Sequence, residues 1–172
     1  KYVWKGDEGT GTPANSGTSN STNNLTFSNC IWTTQNGFSC VDFNNHSSAV
    51  MYSSAGQLIN FYSGVSISFW VYLDAIPSSN NRFFHFGEGS YGASNPQMYL
   101  YWYSTSGPRM YLYNSSNYSG TSPTLSAPSI NTWVHMAVTF TYAHTYNATT
   151  TMKYYINGVL KNTINNMYGL QS

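Results

Sequence analysis

Hydrophobic and polar residues alternate most regularly in the stretch from Thr132 to Lys161. In its first half, every second residue is large and apolar or aromatic, so these side chains would lie on the same face of a strand. These residues are Val134, Met136, Val138, Phe140 and Tyr142. Alternation of β-branched and aromatic residues with other residues is typical of a strand. We therefore predict a β-strand here.

The second half of this stretch carries Asn157-Gly158 between two short alternating runs. Both residues tolerate a positive φ, which a type I′ turn requires at its two central positions. We therefore predict a tight β-hairpin that places Ile156 opposite Val159 and Tyr155 near Leu160. The strand and the hairpin together form a β-meander.

Residues 64–73 give the strongest single strand signal of the chain, because five apolar positions alternate strictly with other residues. The predicted core face holds Val65, Ile67, Phe69, Val71 and Leu73. The opposite face holds Ser66, Ser68, Trp70 and Tyr72.

Further short segments show the same period of two, and no segment shows a helical period. The segments are Lys1–Lys5, Phe38–Phe43, Ser48–Tyr52, Gln57–Tyr62, Arg82–Phe86, Gln97–Tyr103 and Arg109–Tyr113. Residues 162–172 have no clear pattern. About ten short strands predict an all-β, two-sheet antiparallel sandwich.

Tyrosines share one parity on two neighbouring predicted strands. They are Tyr99, Tyr101, Tyr103, Tyr111 and Tyr113, and the other parity holds Met98, Leu100, Trp102, Met110 and Leu112. On adjacent antiparallel strands this pattern predicts a tyrosine patch on one face of a sheet. Such a patch stacks on sugar rings or forms a protein interface, or it only covers a sheet in a protein with few charges.

Composition narrows the classes of partner. Only 6% of the residues are charged and 17% are aromatic, so Asn, Ser, Thr and Tyr must form the surface. Six Lys and Arg spread along the chain cannot form a basic patch, and we expect no nucleic-acid partner. No apolar run is long enough for a membrane span, and we expect no membrane insertion.

The length of the chain suits one domain over residues 1–172. Residues 6–24 are rich in Gly, Ser, Thr and Asn, and we expect them to form a flexible loop within this domain.

Two cysteines and six Asn-x-Ser/Thr sequons are candidate sites of covalent modification, and only the cysteines favour an oxidising compartment. Cys30 and Cys40 lie close together in a loop-like region, which favours a disulfide over two unpaired thiols. The sequons, whose number is close to chance, are acceptor sites for N-glycosylation. They lie at Asn20, Asn24, Asn45, Asn114, Asn117 and Asn147.

Catalytic chemistry finds little support in the sequence. The five acids are scattered, and no predicted strand carries the two carboxylates that glycoside hydrolysis needs. The four histidines have no metal-ligand spacing, and no nucleophile motif is present. Asp7 and Glu8 are adjacent in a loop, where a solvated turn is a better interpretation than a calcium site. We expect no enzyme and no required cofactor.

Three segments in order resemble the laminin-G-like branch of the concanavalin A-like lectin/glucanase jelly rolls. They are VSISFWVYLDAIPSSNNRFFHFGEGS, TWVHMAVTF and KYYINGVLK, and the resemblance covers about residues 38–161. It implies a jelly roll with a further strand after the hairpin, which residues 162–172 do not show. Either the sequence is cut short there, or the sandwich has an open edge that a neighbouring segment fills. The resemblance also implies Ca²⁺ as an optional ligand, with Asp7, Asp74 and loop carbonyls as weak candidates.

These observations favour a non-catalytic, extracellular adhesion or recognition module that binds a glycan or a protein. The alternative is a structural subunit of an extracellular surface assembly, such as a fibre, a sheath or a virion coat. Copies of the chain would then associate through the tyrosine-rich face or by strand-edge completion. In both cases we expect the protein outside the cell or on a particle surface.

Overall fold

The structure is a computed structural model of the 172-residue chain. It describes residues 4–17, 24–43, 49–53, 64–77, 81–86, 97–104, 106–113, 119–141 and 149–168. The chain divides into two compact units, unit 1 over Lys1–Leu58 and unit 2 over Ile59–Ser172. The expectation of a single domain over residues 1–172 therefore stays a prediction.

Twelve strands and no helix make up the regular structure of the described residues. The strands are β1 (Thr26–Ser28), β2 (Ile31–Gln35), β3 (Phe38–Asp42), β4 (Val50–Tyr52), β5 (Val65–Tyr72), β6 (Arg82–Phe86), β7 (Gln97–Tyr103), β8 (Gly107–Tyr113), β9 (Ser119–Thr121), β10 (Trp133–Thr141), β11 (Thr149–Ile156) and β12 (Val159–Tyr168). Nothing in this part of the chain is a helix long and apolar enough to cross a membrane. All strand pairs are antiparallel, which confirms the predicted all-β class.

Unit 1 consists of two strand pairs and ordered loops. β2 and β3 form a hairpin around Asn36-Gly37, whose φ angles are 51° and 81°, and β1 pairs with β4. In the described part of residues 6–24, Pro13 accepts a hydrogen bond from the backbone of Leu25 at 3.1 Å, and the flexibility of this loop stays a prediction. Trp32 also donates its indole N–H to the carbonyl of Gly11 at 2.8 Å.

Unit 2 is a sandwich of two four-stranded sheets. Sheet I has the strand order β12-β11-β10-β5, and sheet II has the order β6-β7-β8-β9. Their inner faces form one core, to which sheet I contributes Val134, Met136, Val138, Phe140, Met152, Tyr154 and Ile156. Sheet II and the following loop contribute Met98, Leu100, Met110, Leu112 and Leu125. The predicted core parity of β5, β7, β8 and β10 is confirmed over the described residues, and so is the two-sheet sandwich.

The β11–β12 hairpin has the predicted turn and register. Asn157 and Gly158 have φ angles of 50° and 76°, and Ile156 lies opposite Val159. Asn157 also extends the ladder to β10, because its backbone N–H donates to the carbonyl of His135 at 2.8 Å. Its side-chain Oδ1 accepts the N–H of the same residue at 2.9 Å. The turn is thus bound to the backbone of the central part of sheet I.

The strand after this hairpin is longer than the sequence pattern indicates. Residues 162–168, which have no clear alternation, continue β12 to Tyr168 because they pair with β11 through two register shifts. Within the described residues, β12 pairs with β11 alone and lies at an edge of sheet I. Completion of this edge by another segment stays a prediction.

Some predicted segments fall outside the described residues, namely residues 1–3, Gln57–Tyr62 and Tyr142. Trp4 forms an isolated bridge with Asn15 rather than part of a strand. The segment Ser48–Tyr52 is represented by β4, which starts at Val50.

Candidate functional site

The predicted tyrosine patch exists as a shared face, but much of it is covered. Tyr99 on β7 and Tyr111 on β8 lie opposite each other and stack with their ring centroids 4.8 Å apart. Only 5% of Tyr99 and 9% of Tyr111 is exposed, so neither ring is open to a ligand. Tyr101 is half-buried, Tyr103 is 40% exposed, and Tyr113 lies at the end of β8 with a side chain outside the described residues. We refer to this outer surface of sheet II as the tyrosine face.

The buried end of the tyrosine face is a packed aromatic and polar cluster. The ring of His85 meets that of Tyr99 edge-on, with the centroids 5.5 Å apart, and Gln97 is only 2% exposed. Burial lowers the pKa of His85, and the nearby charge of Arg82 lowers it further. A hydrogen bond with Gln97 raises this pKa, but the net shift is downward. His85 is therefore neutral at pH 7, and it fills space in the cluster.

Sheet I presents a second and more open aromatic surface, which sequence reasoning did not single out. Trp70 on β5 lies opposite His135 on β10, and their ring centroids are 5.2 Å apart. The next pair on the same outer face is Tyr72 and Trp133, whose centroids are 5.7 Å apart. Trp70 is 64% exposed, which is unusual for the largest side chain. We call these four residues the Trp70 face.

Small neighbours keep the Trp70 face open. Ser68 on β5 pairs with Ala137 on β10, one step along the outer surface from the Trp70–His135 pair. Neither side chain is tall enough to cover the indole ring. Two hydrogen bonds between Asn157 and the backbone of His135 hold this position of β10 next to the hairpin turn.

The signal that could have revealed the Trp70 face was present in the sequence. Trp70 and Tyr72 alternate with the core positions of β5, so they belong to its outer face. Trp133 and His135 likewise alternate with the core positions of β10 and belong to its outer face. The missing information was that β5 pairs with β10, which brings two distant segments together. Alternation within a segment predicts which residues share a face of the strand, but it does not predict which other strand pairs with it.

The predicted disulfide between Cys30 and Cys40 is not formed, and both thiols are free. Cys40 lies in β3 opposite Thr33, whereas Cys30 precedes β2. Cys30 lies three positions before Thr33, which is about 10 Å in an extended chain, so Cys40 opposite Thr33 is farther from Cys30 than the Cα separation of a disulfide. The Sγ of Cys30 instead donates to the carbonyl of Ser28 at 3.3 Å, and burial raises the pKa of both thiols.

One of the predicted glycosylation sites lies within the described residues. Asn24 is exposed, and its Oδ1 accepts the backbone N–H of Asn15 at 3.1 Å. The other five sites, Asn20, Asn45, Asn114, Asn117 and Asn147, lie outside the described residues. Glycosylation stays a prediction.

The two acids named for calcium lie in different units. Asp7 is exposed in a loop of unit 1, and Asp74 is exposed directly after β5 in unit 2. The neighbouring Glu8 accepts the backbone N–H of Ala14 at 3.3 Å, so it stabilises its own loop. Over the described part of the chain, no group of three or more His, Cys, Asp or Glu could hold a metal ion. Calcium binding by Asp7, Asp74 and loop carbonyls therefore stays a prediction.

Comparison with known proteins identifies the family. A family model of laminin G type, from the concanavalin A-like lectin/glucanase superfamily, matches residues 43–172, about three quarters of the chain. No curated protein and no solved structure matches the chain. Laminin-G-like domains generally bind carbohydrates or proteins, are generally non-catalytic and are typically extracellular. The chain belongs to the laminin-G-like group of the concanavalin A-like lectin/glucanase superfamily.

Proposed function

We propose that this chain is a non-catalytic, extracellular recognition module that binds an uncharged glycan on the Trp70 face. The observation that supports this most is the 64% exposure of Trp70 on the open surface of a regular sheet. A large exposed aromatic side chain on a rigid strand loses hydrophobic stabilisation unless a partner covers it. The rigid position also lowers the entropic cost of binding.

The chemistry of the Trp70 face suits a sugar ring. An indole ring offers a flat apolar surface to the C–H groups of a sugar and keeps an N–H donor for its hydroxyls. His135 and the nearby Ser68 add polar groups at the border of this surface. Trp70, Tyr72 and Trp133 have no charge, so an uncharged glycan is the ligand class that fits.

A catalytic role has no support from the placement of carboxylates. Of the described strands, only β3 carries an acid, Asp42, and it carries one. Cleavage of a glycosidic bond generally needs two carboxyl groups on either side of that bond. We therefore propose binding without hydrolysis.

A glycan array followed by titration calorimetry tests the proposal. Trp70→Ala should reduce affinity for the best uncharged array ligand about tenfold or more, and Trp70→Phe should retain most of the affinity. Tyr103→Ala is the matched control, because Tyr103 is also exposed but lies on sheet II. Unchanged circular dichroism would show that the variants are folded.

The proposal is wrong if Trp70→Ala binds as the unchanged protein does. Loss of binding in Tyr103→Ala with retention in Trp70→Ala would place the glycan on the tyrosine face instead.

As a second function, we propose a structural subunit that associates through the edge strand β12. Val159 and Leu160 on this strand are 55% and 48% exposed, and only 6% of the residues of the chain are charged. An edge strand with exposed apolar residues and little charge is a template for pairing with another chain. Light scattering should then show particles above 19.2 kDa that dissociate in Leu160→Lys. A monomer at every concentration would contradict this function.

A further inference from the structure

The only two arginines of the chain lie in one row across sheet II. Arg82 on β6 and Arg109 on β8 both pair with Tyr101 on β7, one from each side. Residues paired across antiparallel strands point to the same side of the sheet, so both arginines belong to the tyrosine face. This face thus gathers two of the six basic residues of a chain that has few charges.

A β-bulge places Arg82 in this row. The register of β6 and β7 shifts between Arg82 and Phe84, so that Phe83 is the extra residue. Phe83 and Phe84 both pack against the core, while Arg82 remains exposed on the outer side. Without the bulge, strict alternation would place Arg82 on the same side as Phe84 and towards the core.

The two guanidinium groups lie towards opposite ends of the row formed by Tyr99, Tyr101 and Tyr103 on β7. The Cζ atom of Arg82 is 4.9 Å from the ring centroid of Tyr99, and that of Arg109 is 4.2 Å from the centroid of Tyr103. Tyr101 lies between these rings, at centroid distances of 5.3 Å from Tyr99 and 6.0 Å from Tyr103. Tyr99 and Tyr103 are four positions apart along the strand, or about 13 Å. The face therefore has two positive charges with aromatic surface between them.

Neutralising partners for these charges are missing from sheet II, because β6, β7, β8 and β9 contain no acidic residue. The described contacts of the two arginines are with tyrosine rings and one hydroxyl, since Nη2 of Arg109 donates to Oγ1 of Thr124 at 3.4 Å. Stacking on a ring holds a guanidinium in place and leaves N–H groups for an external acceptor. Arginine in this state is well suited to a carboxylate, which it can bind with two parallel hydrogen bonds.

We propose that Arg82, Tyr101, Tyr103 and Arg109 form a binding site for a carboxylated glycan. Carboxylates on two separated sugar units contact the two arginines, and the sugar rings between them lie on the half-buried Tyr101 and the exposed Tyr103. The separation of the charges excludes a single small anion as the ligand of both arginines. Two cations are also too few for the phosphate contacts of a nucleic acid. This site is independent of the Trp70 face, which lies on the other sheet.

Titration of the whole chain with a hexamer of galacturonic acid, at low and high salt, tests the site. We expect binding that weakens as salt rises, and no binding to the uncharged galactose hexamer at the tyrosine face. Arg82→Gln should reduce affinity at least tenfold, while Arg82→Lys should lose less because it keeps the charge. Arg109→Gln should reduce affinity to a similar extent. Lys153→Gln is the matched control, because it removes one positive charge from an exposed position on sheet I.

The outcomes separate this site from other sources of binding. An equal loss in Lys153→Gln would show general charge attraction and would overturn the site. Equal or tighter binding of a polyglutamate peptide would show that the partner is an acidic protein rather than a glycan. Tighter binding of a sulfated hexamer would show that the site prefers sulfate to carboxylate. Since Trp70→Ala should leave galacturonate binding unchanged, failure of this site and failure of the proposed function are distinguishable.

Discussion

Replacing Tyr154 with Phe is expected to stabilise the sandwich of unit 2. Tyr154 lies in β11 between Val138 on β10 and Asn162 on β12, and none of its side chain is exposed. Its hydroxyl group has no hydrogen-bond partner among the described residues. Within the described part of the chain, this hydroxyl is therefore a buried polar group that no hydrogen bond compensates.

The size of the gain follows from the cost of that hydroxyl group. A buried polar group without a partner costs about 1–3 kcal/mol, and Phe removes the group while it keeps the ring and its packing. We take about 1 kcal/mol as the expected increase in the free energy of unfolding. For a domain of this size, such an increase raises the Tm by about 2–4 °C.

The variant should also change how stability depends on pH. Burial raises the pKa of Tyr154 in the folded protein well above its usual range. Above about pH 10 the unfolded chain loses this proton while the folded chain keeps it, so the free energy of unfolding falls as pH rises. Tyr154→Phe lacks this contribution, and its advantage over the native protein should grow between about pH 10 and pH 11.

Urea unfolding followed by tryptophan fluorescence, at pH 7 and above pH 10, measures both effects. Tyr155→Phe is the matched control, because the adjacent Tyr155 lies half-buried on the outer face of sheet I. Its stability should change by less than about 0.5 kcal/mol at pH 7. A loss of stability in Tyr154→Phe would refute the reasoning, because it would mean that the hydroxyl group has a favourable partner in solution.

Three further substitutions test local features. In urea unfolding, Asn157→Ala should lower the free energy of unfolding by about 2 kcal/mol, because it removes a hydrogen bond to β10 and strains a turn position whose φ is 50°. Asn157→Gly should relieve the backbone strain but should still lack the hydrogen bond. Gly64→Ala should cost about 2–4 kcal/mol in the same assay, because φ is +81° and a Cβ would lie 2.9 Å from a β10 carbonyl; an unchanged stability would contradict this close approach. Thiol titration of the denatured chain should find both Cys30 and Cys40 free, and a reducing agent should leave the Tm unchanged. If the two cysteines formed a disulfide, its reduction would remove about 3 kcal/mol of stability and lower the Tm.

Local sequence signals were sufficient for the strands with strict alternation. The turn at Asn157-Gly158 and the core parity of β5, β7, β8 and β10 all follow from residue type at each position. These segments pack one face on the core and leave the other outside it, which is the condition under which a period of two is informative. The length of β12 could not be predicted in this way, because its last residues are held by pairing with β11 rather than by alternation.

Unit 1 carries a hairpin signal, Asn36-Gly37, which is stronger evidence for local structure than the spacing of the two cysteines. Asn36-Gly37 has the same composition as the turn at Asn157-Gly158, and both residues have positive φ angles. A two-residue turn there fixes the register of β2 and β3 and places Cys40 opposite Thr33. The same register separates Cys40 from Cys30, so the turn excludes the disulfide that the sequence spacing of the two cysteines favoured.

The two aromatic surfaces show why parity alone does not predict exposure. Tyr99 and Trp70 both point away from the core, yet 5% of one and 64% of the other is exposed. Tyr99 lies on a central strand, where His85, Tyr111 and the guanidinium of Arg82 surround its ring. Trp70 lies on β5, which pairs with β10 alone within the described residues, and its neighbour Ser68 is small. Exposure of an outward side chain therefore depends on strand order and on the size of cross-strand neighbours. Because strand order joins segments far apart in sequence, parity within β7 and β8 predicts the tyrosine face, whereas the Trp70 face depends on the pairing of β5 with β10.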